Sequence, residues 1–169
     1  MDTILRTARL DLRPLVSGDL DAMYEVFADA YARRFYGRMD DRAEVAAWIA
    51  WCRRGYLEKD AGLWAVLRRD TGELIGDCGP IWQQIDGAPR LEIGWHIAAA
   101  HRRQGFATEA GRGVMAWCWD NREVDRLISL VHVDNEASAV VAARVHSQVT
   151  GVTDFKGLPH RIYWTPRPV

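Results

Sequence analysis

Apolar positions recur in two rhythms along this chain, and the alternation of the rhythms predicts its elements. Leu10-Asp11-Leu12-Arg13-Pro14-Leu15 alternates apolar and polar, as a half-buried strand does. After Ser17-Gly18-Asp19, which offers an N-cap, the period changes: Leu20, Met23, Tyr24 and Phe27 fall on one helical face. The run Ala30–Met39 mixes aromatic and basic residues and reads as a connecting segment. A second helix starts near Asp41, whose spacing to Glu44 resembles a capping box, with Val45, Trp48, Ile49, Cys52 and Tyr56 as its face. Leu63–Leu67, Glu73–Trp82 and Leu91–Ile97 then read as three strands of an antiparallel meander. Arg68–Gly72 and Asp86-Gly87 supply the turns. Gly79-Pro80 suggests a bulge or a sheet edge, because proline cannot donate to a ladder.

The helical period returns at Ala107, Ala110, Gly111, Val114, Met115 and Cys118, and predicts a helix to about Asn121. Leu127–Val133 is a near-continuous apolar strand of the kind buried on both faces. Strand, helix and strand here make a βαβ crossover, so Leu91–Ile97 and Leu127–Val133 are expected to be parallel. A last helix is expected from Asn135 to Gln148, then a hairpin of Thr153–Lys156 and Arg161–Trp164 through Gly157-Leu158-Pro159. The fold class is α/β with a mixed, largely antiparallel sheet, expected as one domain over residues 1–169.

The stretch His101–Glu109 changes this from a fold to a site. It is the turn from a strand into a helix, and it carries Arg102, Arg103 and Gly105. Such a turn aims unpaired N–H groups and the positive end of a helix dipole at one point. Gly105 lets a ligand approach the backbone closely. The combination suits a phosphate or pyrophosphate. It is not a P-loop, since no Gly-Lys-Ser/Thr follows.

The spacing Arg102-x-x-Gly105-x-Ala107 resembles the Arg/Gln-x-x-Gly-x-Gly/Ala motif of the GNAT superfamily of N-acetyltransferases. Glu92–Ile97, Arg103–Ala110 and Asn135-Glu136-Ala137-Ser138 together look most like the branch that holds the ribosomal-protein N-terminal acetyltransferases. The resemblance covers essentially the whole chain. It implies a sheet of about seven strands with helices on both faces, and a V-shaped split between the fourth and fifth strands. It implies acetyl-CoA as cosubstrate and a primary amine, on a protein or peptide N-terminus or a small molecule, as acceptor. By the same resemblance, the backbone of Trp95, His96 and Ile97 pairs with the pantetheine. The turn of Arg102, Arg103, Gln104, Gly105, Phe106, Ala107 and Thr108 receives the pyrophosphate. Asn135 holds the pantetheine region, although a plain helix N-cap is the simpler reading of that residue. Glu92 is the candidate base and Ser138 the candidate donor to the leaving thiolate. Glu109 is expected to point away from the phosphates. Tyr31–Arg38, with Arg33, Arg34 and Arg38, lies where the family builds its acceptor groove.

Three departures stand out. Many relatives carry a Tyr seven residues after the Asn, where this chain has Ala142, and some a Glu five residues before it, where this chain has Leu130. His146-Ser147 follows Val145 in place of the usual Gly-Phe or Gly-Met, which puts the start of the C-terminal hairpin in doubt. The missing Tyr and Glu keep open a second class of function, a GNAT-fold module that binds acyl-CoA without turnover.

Charge and cysteine content add limits. Net charge is −1, which gives no general attraction for nucleic acid or an anionic membrane. Cys52, Cys78 and Cys118 are far apart in apolar patterns and read as buried reduced thiols. The five histidines show no metal spacing, so no metal is expected. With no signal-like N-terminus and no bilayer-length apolar run, a cytoplasmic protein is expected. A homodimer is left open.

Overall fold

The computed structural model describes residues 2–37, 39 and 41–169. The strands are β1 (Leu5–Arg6), β2 (Leu10–Pro14), β3 (Trp64–Arg68), β4 (Leu74–Ile85), β5 (Ala88–Ile97), β6 (Arg126–His132), β7 (Gln148–Phe155) and β8 (Leu158–Pro166). They form one eight-stranded sheet in the order β1-β2-β3-β4-β5-β6-β8-β7. The helices are α1 (Leu20–Phe27), α2 (Ala30–Phe35), α3 (Arg42–Glu58), α4 (Phe106–Asn121) and α5 (Glu136–Val145). One apolar cluster joins α1, α2 and α3 to one face of the sheet through Met23, Phe27, Ala32, Val45, Ile49 and Ile81. A second joins α4 and α5 to the other face through Ala110, Val114, Cys118, Leu91, Ile93 and Leu127. Among the described residues, no helix is long and apolar enough to cross a membrane.

The expected meander and crossover are present. β2 to β5 pair antiparallel in sequence order, and the β4–β5 hairpin turns on Asp86 and Gly87, both left-handed. β5 pairs with β6 in parallel through only Leu91↔Leu127 and Glu92↔Ile128. Beyond those rungs the two strands part, while β5 stays paired to β4 as far as Ile97. This is the V-shaped split. Pro80 pairs with Ile93 but lies past the end of the β3 ladder, which stops at Cys78, so the Gly79-Pro80 pair marks a local edge. The irregularity in that part of the sheet falls instead between Val66 and Leu67.

Other elements depart from the pattern-based reading. β1 adds an eighth strand, too short at two residues to show a period. Ala30–Phe35 is helical, capped by the Asp29 side chain on the Ala32 amide. A helix of six residues presents no repeating apolar stripe, and its Asp cap was its only local signal. At α3 the Asp41 carboxylate accepts from the Ala43 amide, a simple cap in place of the capping box. The last helix ends at Val145, and β7 starts at Gln148. The hairpin turns on Lys156 and Gly157, both left-handed, so Pro159 lies inside β8 opposite Asp154. All three cysteines are free and buried.

The glycines inside α4 answer to packing. A Cβ on Gly111 would stand 3.0 Å from Val145 Cγ2 of α5, and one on Gly113 would stand 3.0 Å from Thr7 Cγ2. Both positions let α4 settle against its neighbours, which offsets roughly 1 kcal/mol of lost helix propensity each.

Candidate active site

α4 begins at a built concavity. Gly105 is its N-cap at φ 86°, and Arg103 is also left-handed at φ 62°. Left-handed residues placed this way turn successive N–H groups to one side, as in an anion-binding nest. Arg102 N–H donates to Ala99 O and Glu109 N–H to Gly105 O. Among the described residues, none of the six amides between them, Arg103 to Thr108, meets an acceptor in the chain. All of these residues but Gln104 line a cleft of about 680 Å³ that runs between α4 and α5 to Trp95 and Ile97 of β5.

The opening of the V supplies the rest of the cleft floor. The Ile93 carbonyl faces β6, where the Ser129 hydroxyl donates to it at 2.7 Å. Backbone direction alternates along a strand, so Trp95 and Ile97 also turn their N–H and C=O groups into the gap. His96 does not: its carbonyl faces Gly76 of β4. The Ile97 carbonyl is taken by Arg102 Nε at 2.8 Å.

Arg102 is otherwise engaged within the fold. Its guanidinium pairs with Asp29 at 2.7 Å and stacks 4.5 Å over the Tyr31 ring. Burial pushes the Asp29 carboxyl up, but the bonds from Arg102 and the Ala32 amide outweigh it and hold it below the usual range. Arg102 therefore ties α2 to the end of β5 and brings little free charge to the cleft. Glu109 does point away: Thr7, the Arg9 amide and the Arg9 guanidinium all donate to it. Arg103, Gly105, Phe106, Ala107 and Thr108 line the cleft directly, and the Gln104 side chain donates to Ala100 O at 3.0 Å.

Known proteins share this fold. The family model for the acetyltransferase (GNAT) domain matches residues 9–148. The chain belongs to the GNAT family. The uncharacterized N-acetyltransferase YoaA of Bacillus subtilis (strain 168) is 33% identical over 154 residues, covering 90% of this chain and 86% of YoaA. The crystal structure of the acetyltransferase from Agrobacterium tumefaciens str. C58 superposes with a TM-score of 0.82 at 25% identity, covering 97% of this chain and 94% of that one. RimL, a ribosomal L7/L12 alpha-N-protein acetyltransferase solved in complex with coenzyme A, shares the fold with a TM-score of 0.78 at 18% identity, covering 98% of each chain. The GNAT domain described here is an N-acetyltransferase.

The candidate base of this GNAT domain sits at the fork of the V. Glu92 is buried, accepts the Leu130 amide at 3.1 Å on one oxygen and the Gln83 amide at 2.8 Å on the other. Leu130 lies just past the last rung, so the carboxylate takes a backbone donor that the parting strands leave unpaired. Burial raises the Glu92 pKa, and the two donors pull it back in part.

The Asn135 side chain caps α5, accepting the Ser138 amide at 3.1 Å, and it also accepts from the Tyr31 hydroxyl at 2.5 Å. Ser138, Tyr31 and Tyr36 all line the cleft. Burial and the neighbouring Tyr31 raise the Tyr36 pKa, so its phenol is neutral. Of the expected acceptor-groove arginines, Arg33 is exposed, Arg34 pairs with Asp134 at 3.4 Å on the surface, and Arg38 lies outside the described residues.

Two side-chain networks escaped the sequence reading. Asp77 is fully buried and accepts from Trp48 Nε1 at 2.9 Å, with His96 Nδ1 2.6 Å away. The His96 side chain thus faces the α1–α3 side, edge-on to Tyr36 at 4.3 Å. At the fork, His146 Nε2 lies 2.9 Å from Ser129 Oγ and Nδ1 lies 3.2 Å from Thr165 Oγ1. Ser129 donates onward to Ile93 O, which makes His146 the donor to Ser129 through Nε2–H. Burial pulls the His146 pKa down to about 4.

Proposed function

We propose that this chain is an acetyl-CoA-dependent N-acetyltransferase that moves an acetyl group to a primary amine by direct attack on the thioester. One observation carries the reading: six amides without an acceptor stand where α4 meets the opened gap between β5 and β6. The amides suit the pyrophosphate of a coenzyme, and the Trp95 and Ile97 backbone groups suit an amide-bearing arm laid into the gap. That RimL, a neighbour in fold, is solved with coenzyme A supports the same reading.

The chemistry assigned to the chain follows from its residues. Glu92 takes the proton from the attacking amine, directly or through water, and its raised pKa improves it as a base. Ser138 donates to the departing sulfur. Asn135 holds the α5 end of the cleft in place.

The acceptor is an α-amine. An unperturbed α-amino group has a pKa of about 7.7–8.0 and a lysine about 10.4, so at pH 7 roughly a tenth of the former is neutral against fewer than about one in a thousand of the latter. A site with one buried carboxylate as base gains about 3 kcal/mol by taking the less basic amine. The test compares thiol release with a peptide bearing a free N-terminus and the same peptide N-blocked but carrying Lys. Faster release with the free N-terminus is expected. Faster release with the blocked lysine peptide overturns the preference, and no release with either, or with a panel of small amines, overturns the catalytic reading.

A further inference from the structure

Glu92 is held from the second face of the sheet. Side chains alternate along a strand. Leu91, Ile93 and Trp95 of β5 pack in the cluster that holds α4. Glu92 therefore faces the other way, toward the side of Ile81 and the early helices. Ile81 is its partner in the β4–β5 ladder, and Gln83 is the next β4 residue on that face. Long side chains reach each other across such a diagonal. Gln83 Nε2 donates to Glu92 Oε2 at 2.8 Å, while the Leu130 amide donates to Oε1 at 3.1 Å.

Gln83 also lines a pocket of about 420 Å³, together with Asp86 of the β4–β5 turn and Asp154, Phe155 and Lys156 of the β7–β8 hairpin. An ionised carboxylate only accepts, so the amide nitrogen of Gln83 is the atom on Glu92. The carboxamide oxygen is then available: among the described residues, none donates to it. One planar group thus meets the buried base through its nitrogen and leaves its oxygen for a ligand. The charged members of the pocket are two carboxylates and one ammonium, a balance that favours a cation such as a protonated amine.

We propose that Gln83 sets base and acceptor side by side, fixing Glu92 through Nε2 and binding the acceptor amine on Oε1. The inference rests on the acetyltransferase reading above. In the step, the amine lone pair forms the C–N bond and the C–S bond breaks, leaving its electron pair on sulfur. The amine proton passes to Glu92, and the sulfur takes a proton from solvent. Gln83 neither gains nor loses a proton.

Burial pushes the Glu92 carboxyl up, and Gln83, the Leu130 amide, His96 and Lys156 pull it back in part. Without the Gln83 donor the ionised form is less supported, so its titration moves to higher pH. Carbon-13 NMR of labelled glutamate carboxyls, with Glu92 assigned through Glu92→Gln, reads this without turnover. Gln83→Met keeps the length of the side chain and loses both amide functions. Gln83→Lys keeps a donor toward Glu92 and loses the accepting oxygen. Gln83→Met should move the Glu92 titration to higher pH, lower kcat at pH 7 roughly tenfold and raise the amine KM roughly tenfold, with the acetyl-CoA KM unchanged. In the Glu92→Gln background it should cost no further kcat. Gln83→Lys should leave the titration at or below that of the wild type and still raise the amine KM, and it carries the same two readouts should Gln83→Met not fold. An unmoved Glu92 titration in Gln83→Met overturns the hold on the base, and an unchanged amine KM in both variants overturns the hold on the acceptor. Lost stability with both readouts unmoved marks a structural role and overturns the proposal. A wild type that binds coenzyme A but releases no thiol with any amine overturns the acetyltransferase reading, and this inference with it. An active wild type matched by Gln83→Met overturns the Gln83 role alone.

Discussion

The turn into α4 and the fork of the V are built from different materials. At the α4 end the chain offers backbone: six amides, two left-handed residues and a helix dipole. At the fork of the V it offers side chains: Glu92 on the Leu130 amide, and Ser129, His146 and Thr165 in one chain of bonds. A backbone site depends on chain conformation and tolerates change in most of the side chains around it. A side-chain site depends on identities gathered from distant strands. The first should therefore fail at one glycine, and the second at each of several polar residues, with different signatures.

The largest effect should come from Gly105. Glutamate there adds bulk, charge and a strained φ of 86° within 3.3 Å of Arg9. Coenzyme A at one hundred times its dissociation constant should stabilise the wild type by about 2.7 kcal/mol, and Gly105→Glu should show no such stabilisation. Gly105→Ala separates strain from occlusion: it should lose about 1–2 kcal/mol of stability, the left-handed penalty, yet keep a response to the coenzyme. Denaturant melts with and without coenzyme A measure both.

At the fork, Glu92→Gln should lower turnover by roughly 10²–10⁴ while leaving coenzyme stabilisation intact. The glutamine oxygen can still accept the Leu130 amide, so the clamp survives while the base is lost. Unchanged turnover across the pH range would remove Glu92 from the reaction and leave it a clamp alone.

A smaller effect separates the fork from the turn by pH. The His146 pKa is pulled down to about 4 in the fold, against about 6.5 unfolded. Between those values the unfolded chain binds the proton and the folded one does not, so stability rises with pH through this window. The contribution is complete above the unfolded value and is lost as pH falls from there toward 4, by about 3 kcal/mol at most. Urea melts from pH 4 to 7 should show that slope in the wild type, and His146→Phe should flatten it. Equal slopes in the two proteins would show that His146 is not held neutral. The raised Glu92 pKa works with the opposite sign, and the difference between the two proteins cancels it.

The same contrast explains what could be read from the sequence. The α4 turn was legible because its parts are contiguous: a strand, a glycine, then a helical stripe that survives in the fold as Ala110, Val114 and Cys118. The Asn135 cap was legible for the same local reason. The parallel pairing of β5 and β6 followed from one crossover, and the V from the family resemblance. The fork was legible only in Glu92. Its other members are far apart in sequence, with Ser129 bonding Ile93, His146 and, through it, Thr165. The Asp77–His96 pair depends on the register of two strands, and Tyr31 and Asn135 lie 104 residues apart in the chain. α2 was missed because six residues carry no period.

The amides from Arg103 to Thr108 are proposed to receive the coenzyme's pyrophosphate. Amide-resolved NMR of the labelled protein, titrated with coenzyme A and in parallel with pantetheine, tests this directly. Coenzyme A should shift those six amide resonances strongly, as charged hydrogen bonds form, and pantetheine, which has no phosphate, should leave them in place. Six amides that stay unmoved at saturating coenzyme A would contradict it.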